Sequence, residues 1–249
     1  MTHSPELRRM KFIALFLDTE TNGLPKKRSA STTDYNAWPQ VVQLAYKVVE
    51  LDTSDTEYFR EIETVNTLIK PEEPFEWSKE AETIHKIREE DVRKGRTGIS
   101  VYSDLKTALR STDILIAHNL EFDLPIVLAQ LHRHKLVTSD KWFPNKQFCT
   151  MRHSTGLCKI PSKFYKRDDP YKYPRLSELH TFLFGAAPSG AEHDALFDVE
   201  TLIHCFKELV RRRLVLLKDL VMPAFATVAT VATVSDGAAG DCKTVASRA

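Results

Sequence analysis

The feature that most constrains this chain is an apolar run, Phe12-Ile-Ala-Leu-Phe-Leu17, that passes without a spacer into Asp18-Thr-Glu20. Apolar residues at consecutive rather than alternate positions describe a strand covered on both faces of a sheet. Successive strand residues point to opposite faces, so Asp18 and Glu20 share one side. Two carboxylates thus face the same way at the end of a central strand. Their repulsion and partial loss of water are costly unless a cation lies between them. An Asp-x-Glu pair alone is a weak signal, because carboxylates usually stand in solvent.

Residues 41–49 and 64–69 read as further strands, the second stopped by Pro71 and Pro74. Residues 78–85 and 100–109 read as helices, with Ser100 or Ser103 as N-cap of the second. Residues 113–117 are a short apolar strand leading into His118-Asn-Leu-Glu-Phe-Asp123. Residues 124–134 follow as an amphipathic helix with Pro125 in its first turn. Residues 176–184 form a short helix closed by Gly185, and 193–217 contain the longest helix. Strands alternating with helices imply an α/β layered fold. Residues 26–36 are expected to be a solvated surface loop. Residues 159–175 mix Lys and Arg with Phe and Tyr, which suits either a surface that binds a nucleic-acid strand or a plain lid. The domain is expected over 10–217, with an N-terminal extension at 1–9 and a low-complexity tail at 218–249.

Hydrophobic residues are 42%, charged residues 28% and the formal net charge is +1, which excludes a fold-wide basic footprint. Any contact with nucleic acid is then local, or mediated by metal ions in an acidic site. Cys149, Cys158, Cys205 and Cys242 form no CxxC pair, so free thiols in a reducing compartment are expected. Residues 1–9 do not read as a secretory signal, and the apolar run at 12–17 is far below the ~20 residues of a membrane span. A soluble intracellular protein with no membrane partner is the expectation.

Three further residues stand out. Asp123 heads the inward stripe Ile126, Val127, Leu131, although Asp is equally a good N-cap. Asp198 lies on the apolar stripe of Leu202, Cys205 and Phe206, with no Lys or Arg within a turn. An acid there needs a partner, either a metal ion or a backbone hydrogen bond. Asp194 is a natural N-cap, which places His193 just outside the helix, where it can overhang the same site. A neutral imidazole beside a metal-activated water suits a general base, while a lone His is more often a packing or surface residue.

Phe16-Leu-Asp-Thr-Glu-Thr-Asn-Gly-Leu24, Ala117-His-Asn-Leu-Glu-Phe-Asp123 and His193-Asp-Ala-Leu-Phe-Asp198 resemble the three motifs of the DEDDh group of 3′→5′ exonucleases. That group includes bacterial proofreading epsilon subunits, oligoribonucleases and stand-alone trimming enzymes. Thr83-Ile-His-Lys-Ile87 and Phe148-Cys-Thr-Met151 resemble its lesser motifs, and the likeness spans about residues 10–215. The resemblance implies a ribonuclease H-like fold, a five-stranded mixed sheet flanked by helices. It implies Asp18, Glu20, Asp123 and Asp198 as ligands of two Mg²⁺ (or Mn²⁺) ions and His193 as general base. It implies Thr21, Leu24, His85, His118, Asn119 and Phe122 around the 3′-terminal nucleotide. The implied activity releases 5′-nucleoside monophosphates from single-stranded or frayed DNA 3′ ends, and a proofreading partnership with a DNA polymerase stays open. An RNA 3′-end trimmer and a non-catalytic binding subunit are the alternatives. Asn22 departs from the Thr or Ser of many members, and residues 25–39 are longer than in compact ones.

Overall fold

The apolar run forms the middle of a sheet, as its two-faced burial requires. The structure is a computed structural model and describes residues 10–27, 29–139, 142–166, 169–190 and 193–221. Strands β1 (Lys11–Thr21), β2 (Val41–Asp52) and β3 (Asp55–Lys70) make an antiparallel meander. On the other side of β1 lie β5 (Ile114–Ala117) and β6 (Lys146–Cys149), parallel to it. A two-residue strand, β4 (Arg96–Thr97), pairs in parallel with the end of β3, so the order is β4-β3-β2-β1-β5-β6.

The sheet therefore has six strands rather than five. Two residues carry no periodicity, so β4 has no signature in sequence. Its approach depends on Gly95, where a Cβ would stand 2.6 Å from the Leu68 carbonyl oxygen. Strand β3 is also longer than the expected 64–69. Its first half carries Glu57, Arg60, Glu61 and Glu63 on exposed positions, and these charges hide it.

Eight helices cover the sheet among the described residues: α1 (Lys79–His85), α2 (Glu89–Val92), α3 (Gly98–Arg110), α4 (Leu120–Arg133), α5 (Thr150–Cys158), α6 (Leu176–Phe184), α7 (Ala195–Arg211) and α8 (Leu217–Val221). The alternation along β1 divides them. Leu15 and Leu17 pack with Leu105 of α3 and Ile126 and Leu131 of α4. Phe12, Ala14 and Phe16 pack on the opposite face with Leu179 of α6 and Leu202, Phe206 and Leu209 of α7. Phe206 is the hub of that face, its ring edge-on to Phe16 at 5.3 Å and to Phe148 at 5.8 Å.

Several expectations change. Helix α4 begins at Leu120, which places Pro125 in the second turn. The carbonyl that loses its donor there belongs to Glu121, an exposed residue that water can satisfy. Helix α3 starts at Gly98 after Thr97. Neither Ser100 nor Ser103 caps it, and Ser103 Oγ instead donates to the Ile99 carbonyl. The described residues of 26–36 are mostly exposed, as a surface loop requires, and the chain turns inward just after them. Trp38 is only 7% exposed, packs in the α3–α4 core and donates from Nε1 to the Ser31 carbonyl at 3.1 Å. Part of 159–175 is a hairpin of β7 (Pro161–Lys166) and β8 (Asp169–Tyr171). Helix α8 carries the packed fold to Val221, four residues past the expected boundary at 217, with Leu217 and Val221 buried. The extension at 1–9, most of the tail (222–249) and Cys242 lie outside the described residues. Cys149, Cys158 and Cys205 are free thiols. Among the described residues, no helix is long and apolar enough to cross a membrane.

Gly95→Val should lower Tm by roughly 3–10 °C, since backbone overlap of this kind costs about 1–3 kcal/mol. A thermal melt unchanged from the parent would refute the close approach of β4 to β3.

Candidate active site

The alternation of β1 carries past its apolar part. Asp18 and Glu20 continue the Phe12–Ala14–Phe16 face, toward α7. Thr19 and Thr21 continue the Leu15–Leu17 face, toward α4. The parallel ladder with β5 covers only Ala14, Leu15 and Phe16, and β1 runs on past it to Thr21. Asn119, left-handed at φ 72°, turns the chain from β5 into α4. Asp123 then sits at the fourth helical position, not at the N-cap, and is 3% exposed. Thr19 Oγ1 donates to its Oδ1 at 2.7 Å.

Helix α7 brings the remaining groups. Asp194 caps it, its Oδ1 accepting from the backbone N–H groups of Leu196 and Phe197, each at 3.1 Å. This leaves His193 outside the helix, exposed and left-handed at φ 67°. Its backbone N–H donates to Asp198 Oδ2 at 3.1 Å, a backbone partner for the acid on the apolar stripe. Ligand atoms of Glu20, His193 and Asp198 all lie within 4.8 Å of one another. The imidazole is thus close enough to share a cation with two carboxylates, or to take a proton beside one.

Electrostatics shows what the cluster lacks. Loss of water contact pushes the Asp18 carboxyl well up, and Asp123, Asp198, Glu20 and Asp194 add to it. Glu20 is pushed up to about 8 by burial first, then by Asp198, Asp123 and Asp194. Asp123 rises to about 7 through burial, against the lowering effect of its Thr19 hydrogen bond. The charged neighbours that weigh most on Asp18 and Glu20 are acids. Crowded carboxylate oxygens of this kind fit a hard divalent cation.

The residues expected around a terminal nucleotide fall into three groups. Asn119 and Phe122 line a recess of 280 Å³ together with Pro25, Trp38, Met151 and Tyr173. Leu24 is 72% exposed and lines an adjoining recess that shares Trp38. Thr21 is buried with its hydroxyl donated to the Gly23 carbonyl at 2.7 Å. His85 is buried and accepts at Nδ1 from the Ile87 N–H at 3.0 Å, which leaves the proton of a neutral ring on Nε2. That Nε2 makes no well-formed hydrogen bond, although the Thr21 backbone lies close enough to favour a charged ring. Burial outweighs that influence and lowers the His85 pKa.

His118 differs. Its Nδ1 pairs with Thr150 Oγ1 at 2.9 Å and its Nε2 with the Pro174 carbonyl at 3.0 Å. Burial holds its pKa down to about 4. Both nitrogens are spent on joining the end of β5, α5 and the segment before α6. Asn22 is structural as well, because its amide bridges the Gln40 N–H and the Glu76 carbonyl, both at 2.8 Å. Tyr173 belongs to the Lys-, Arg- and Tyr-rich 159–175 segment singled out in the sequence, whereas sequence reasoning missed Thr19, Trp38 and Gln43. Thr19 was legible, as the residue between two acids that must face α4. The others are set by contacts with distant segments.

A family model described as Exonuclease (RNase_T) matches residues 15–206. The chain belongs to this exonuclease family. The fold of this exonuclease chain is similar to E. coli Exonuclease I in complex with a dT13 oligonucleotide, at 18% identity and TM-score 0.59, over 81% of this chain and 42% of that one. It is likewise similar to the dA16 complex of that protein, at 19% identity and TM-score 0.59, over 82% and 42%. The zinc-ion-bound E. coli Exonuclease I–ssDNA complex matches at 18% identity and TM-score 0.60, again over 82% and 42%. The likeness is one of fold, the expected ribonuclease H-like arrangement. The chain spans less than half the length of those structures. No curated protein matches the sequence significantly.

Metal-free protein should lose stability as pH rises. Glu20 and Asp123 have folded-state values near 8 and 7, above those of an unfolded carboxylate, so the folded state holds the proton more tightly. The contribution is complete below the unfolded pKa and is lost as pH climbs through the folded ones. Between pH 5 and pH 8.5 the melting temperature in EDTA should fall by about 5 °C or more, and Mn²⁺ or Mg²⁺ should restore it. A melt independent of both pH and metal would contradict the uncompensated cluster.

Proposed function

We propose that this chain is a metal-dependent 3′→5′ exonuclease that hydrolyses the terminal phosphodiester of single-stranded or frayed DNA. The observation that supports the reading is that Asp18 interacts electrostatically with Glu20, Asp123 and Asp198, while Glu20, His193 and Asp198 bring ligand atoms within 4.8 Å of one another. Membership of the exonuclease family supports it, as does a fold like that of structures holding single-stranded oligonucleotides.

Two Mg²⁺ or Mn²⁺ ions held by Asp18, Glu20, Asp123 and Asp198 would neutralise phosphate charge and lower the pKa of the attacking water. His193 takes the proton from that water at a ring nitrogen. The water oxygen bonds to phosphorus, the bond to the 3′ oxygen of the preceding nucleotide breaks, that oxygen takes a proton from solvent to become the new 3′-hydroxyl, and a 5′-nucleoside monophosphate leaves. Asn119, Phe122 and Tyr173 surround the terminal base, with Leu24 at the rim. Stacking on aromatic rings tolerates every base, which suits an end-trimming enzyme. The idle Nε2–H of His85 is a buried donor ready for an acceptor on the terminal nucleotide. His118 positions the wall rather than the substrate. The acid cluster weighs against a purely binding subunit, because unneeded buried carboxylates only cost stability. A polymerase-docking segment in the tail would lie mostly outside the described residues.

The test is a time course on 5′-labelled DNA and RNA oligonucleotides with single-stranded, recessed and overhanging 3′ ends. Mg²⁺ or Mn²⁺ should produce a ladder that shortens from the 3′ end on DNA, and EDTA should abolish it. Asp198→Ala should be inactive, and His193→Ala should lose about 10²–10⁴-fold in kcat, the usual worth of a general base. Phe122→Ala should raise KM more than it lowers kcat. A ladder on RNA alone would reassign the substrate, and intact DNA and RNA under every condition would sink the enzyme reading.

A further inference from the structure

Gln43 lies on β2, directly across the ladder from Glu20. It is 5% exposed, and its amide links the sheet to the start of α7 through side-chain hydrogen bonds beside the acids. Nε2 donates to Asp194 Oδ2 and to Asn66 Oδ1, each at 3.0 Å. Oε1 accepts from the Ala195 backbone N–H at 3.2 Å. Both N–H groups and the carbonyl are thus used, and the network fixes which way the amide faces.

What hangs from this amide is the helix-borne half of the site. Asp194 caps α7 through Oδ1 and meets Gln43 through Oδ2. His193 precedes it, and Asp198 follows one turn later, its carboxylate tied to the His193 N–H. Glu20 is fixed on the neighbouring strand. The Glu20–His193–Asp198 spacing is therefore set through two rigid links, the β1–β2 ladder and the Gln43 amide. The acids repel one another across that gap, so the helix start needs a tether against drifting outward.

We propose that Gln43 is a positioning residue that holds the N-terminus of α7 against the sheet and thereby sets the separation of Asp198 and His193 from Glu20. The proposal rests on the exonuclease reading for its activity readout, and on cation binding for a readout that needs no turnover. Gln43→Met keeps the length and bulk of the side chain and removes its hydrogen bonds. Partners of this rank around a metal site typically cost about 10–100-fold in affinity or activity. Gln43→Met should weaken Mn²⁺ binding in a calorimetric titration by about 10-fold and lower kcat by about 10–100-fold, with KM for the oligonucleotide unchanged. Asp194→Asn, which keeps a good N-cap, breaks the same bond from the helix side. The double variant should then be no worse than Gln43→Met alone, because Gln43→Met already removes the bond that Asp194→Asn breaks.

A residue that merely fills the core would behave otherwise: Gln43→Met would lower Tm and leave Mn²⁺ affinity and kcat at the parent level, and that result would overturn the proposal. Losses that multiply in the double variant would overturn the shared link. If Gln43→Met does not fold, Asp194→Asn alone decides, with weaker Mn²⁺ binding expected and parental binding refuting. A parent protein that leaves oligonucleotides intact would be a failure of the exonuclease reading, and the Mn²⁺ titration would still test Gln43.

Discussion

The mutual repulsion of the carboxylates is the constraint on which this structure turns. Asp18, Glu20, Asp123, Asp194 and Asp198 act on one another with no cation among their strongest neighbours. Such a cluster persists only if the rest of the fold holds it together. The two cores supply that hold. Leu15 and Leu17 fasten β1 to α3 and α4, while Phe12, Ala14 and Phe16 fasten it to α6 and α7. The strand that ends in two acids is therefore clamped on both faces along its apolar length.

Each layer then delivers one part of the site. On the α4 face, Asp123 is buried and steadied by the hydroxyl of Thr19. On the α7 face, Asp198 and His193 arrive on a helix start that is capped by Asp194 and tied to β2 through Gln43. The acids therefore come from three separately anchored elements. A divalent cation would convert their repulsion into attraction, so the arrangement that costs stability in the metal-free protein is one a bound cation would stabilise.

The recess lined by Asn119 and Phe122 is built by different means. The recess between Phe122, Asn119 and Tyr173 joins the start of α4 to the segment after the β7–β8 hairpin, with Trp38 from the insertion behind it. His118 bolts that segment down through the Pro174 carbonyl. The stretch 25–39 contributes a buried Trp38 to the core and Pro25 to the recess, so both of its ends are part of the packed domain.

By itself, the sequence determined the central strand, the order of the main elements and the Asp194 cap with His193 outside it, and it singled out the candidate acids. These are local matters: burial on both faces demands consecutive apolar residues, and a helix stripe interrupted by an acid is visible at a spacing of 3.6 residues. Tertiary structure decided the rest. It placed Pro125 in a second turn, added β4 where Gly95 lets backbones meet, folded the 159–175 segment into a hairpin, and spent both nitrogens of His118 on its neighbours. It also chose Gln43, an ordinary residue in a strand pattern, to carry the start of α7. For β4, His118 and Gln43 the reason is the same: each depends on a partner far away in the chain, and a hydrogen bond or close approach across such a separation leaves no periodic trace at either end.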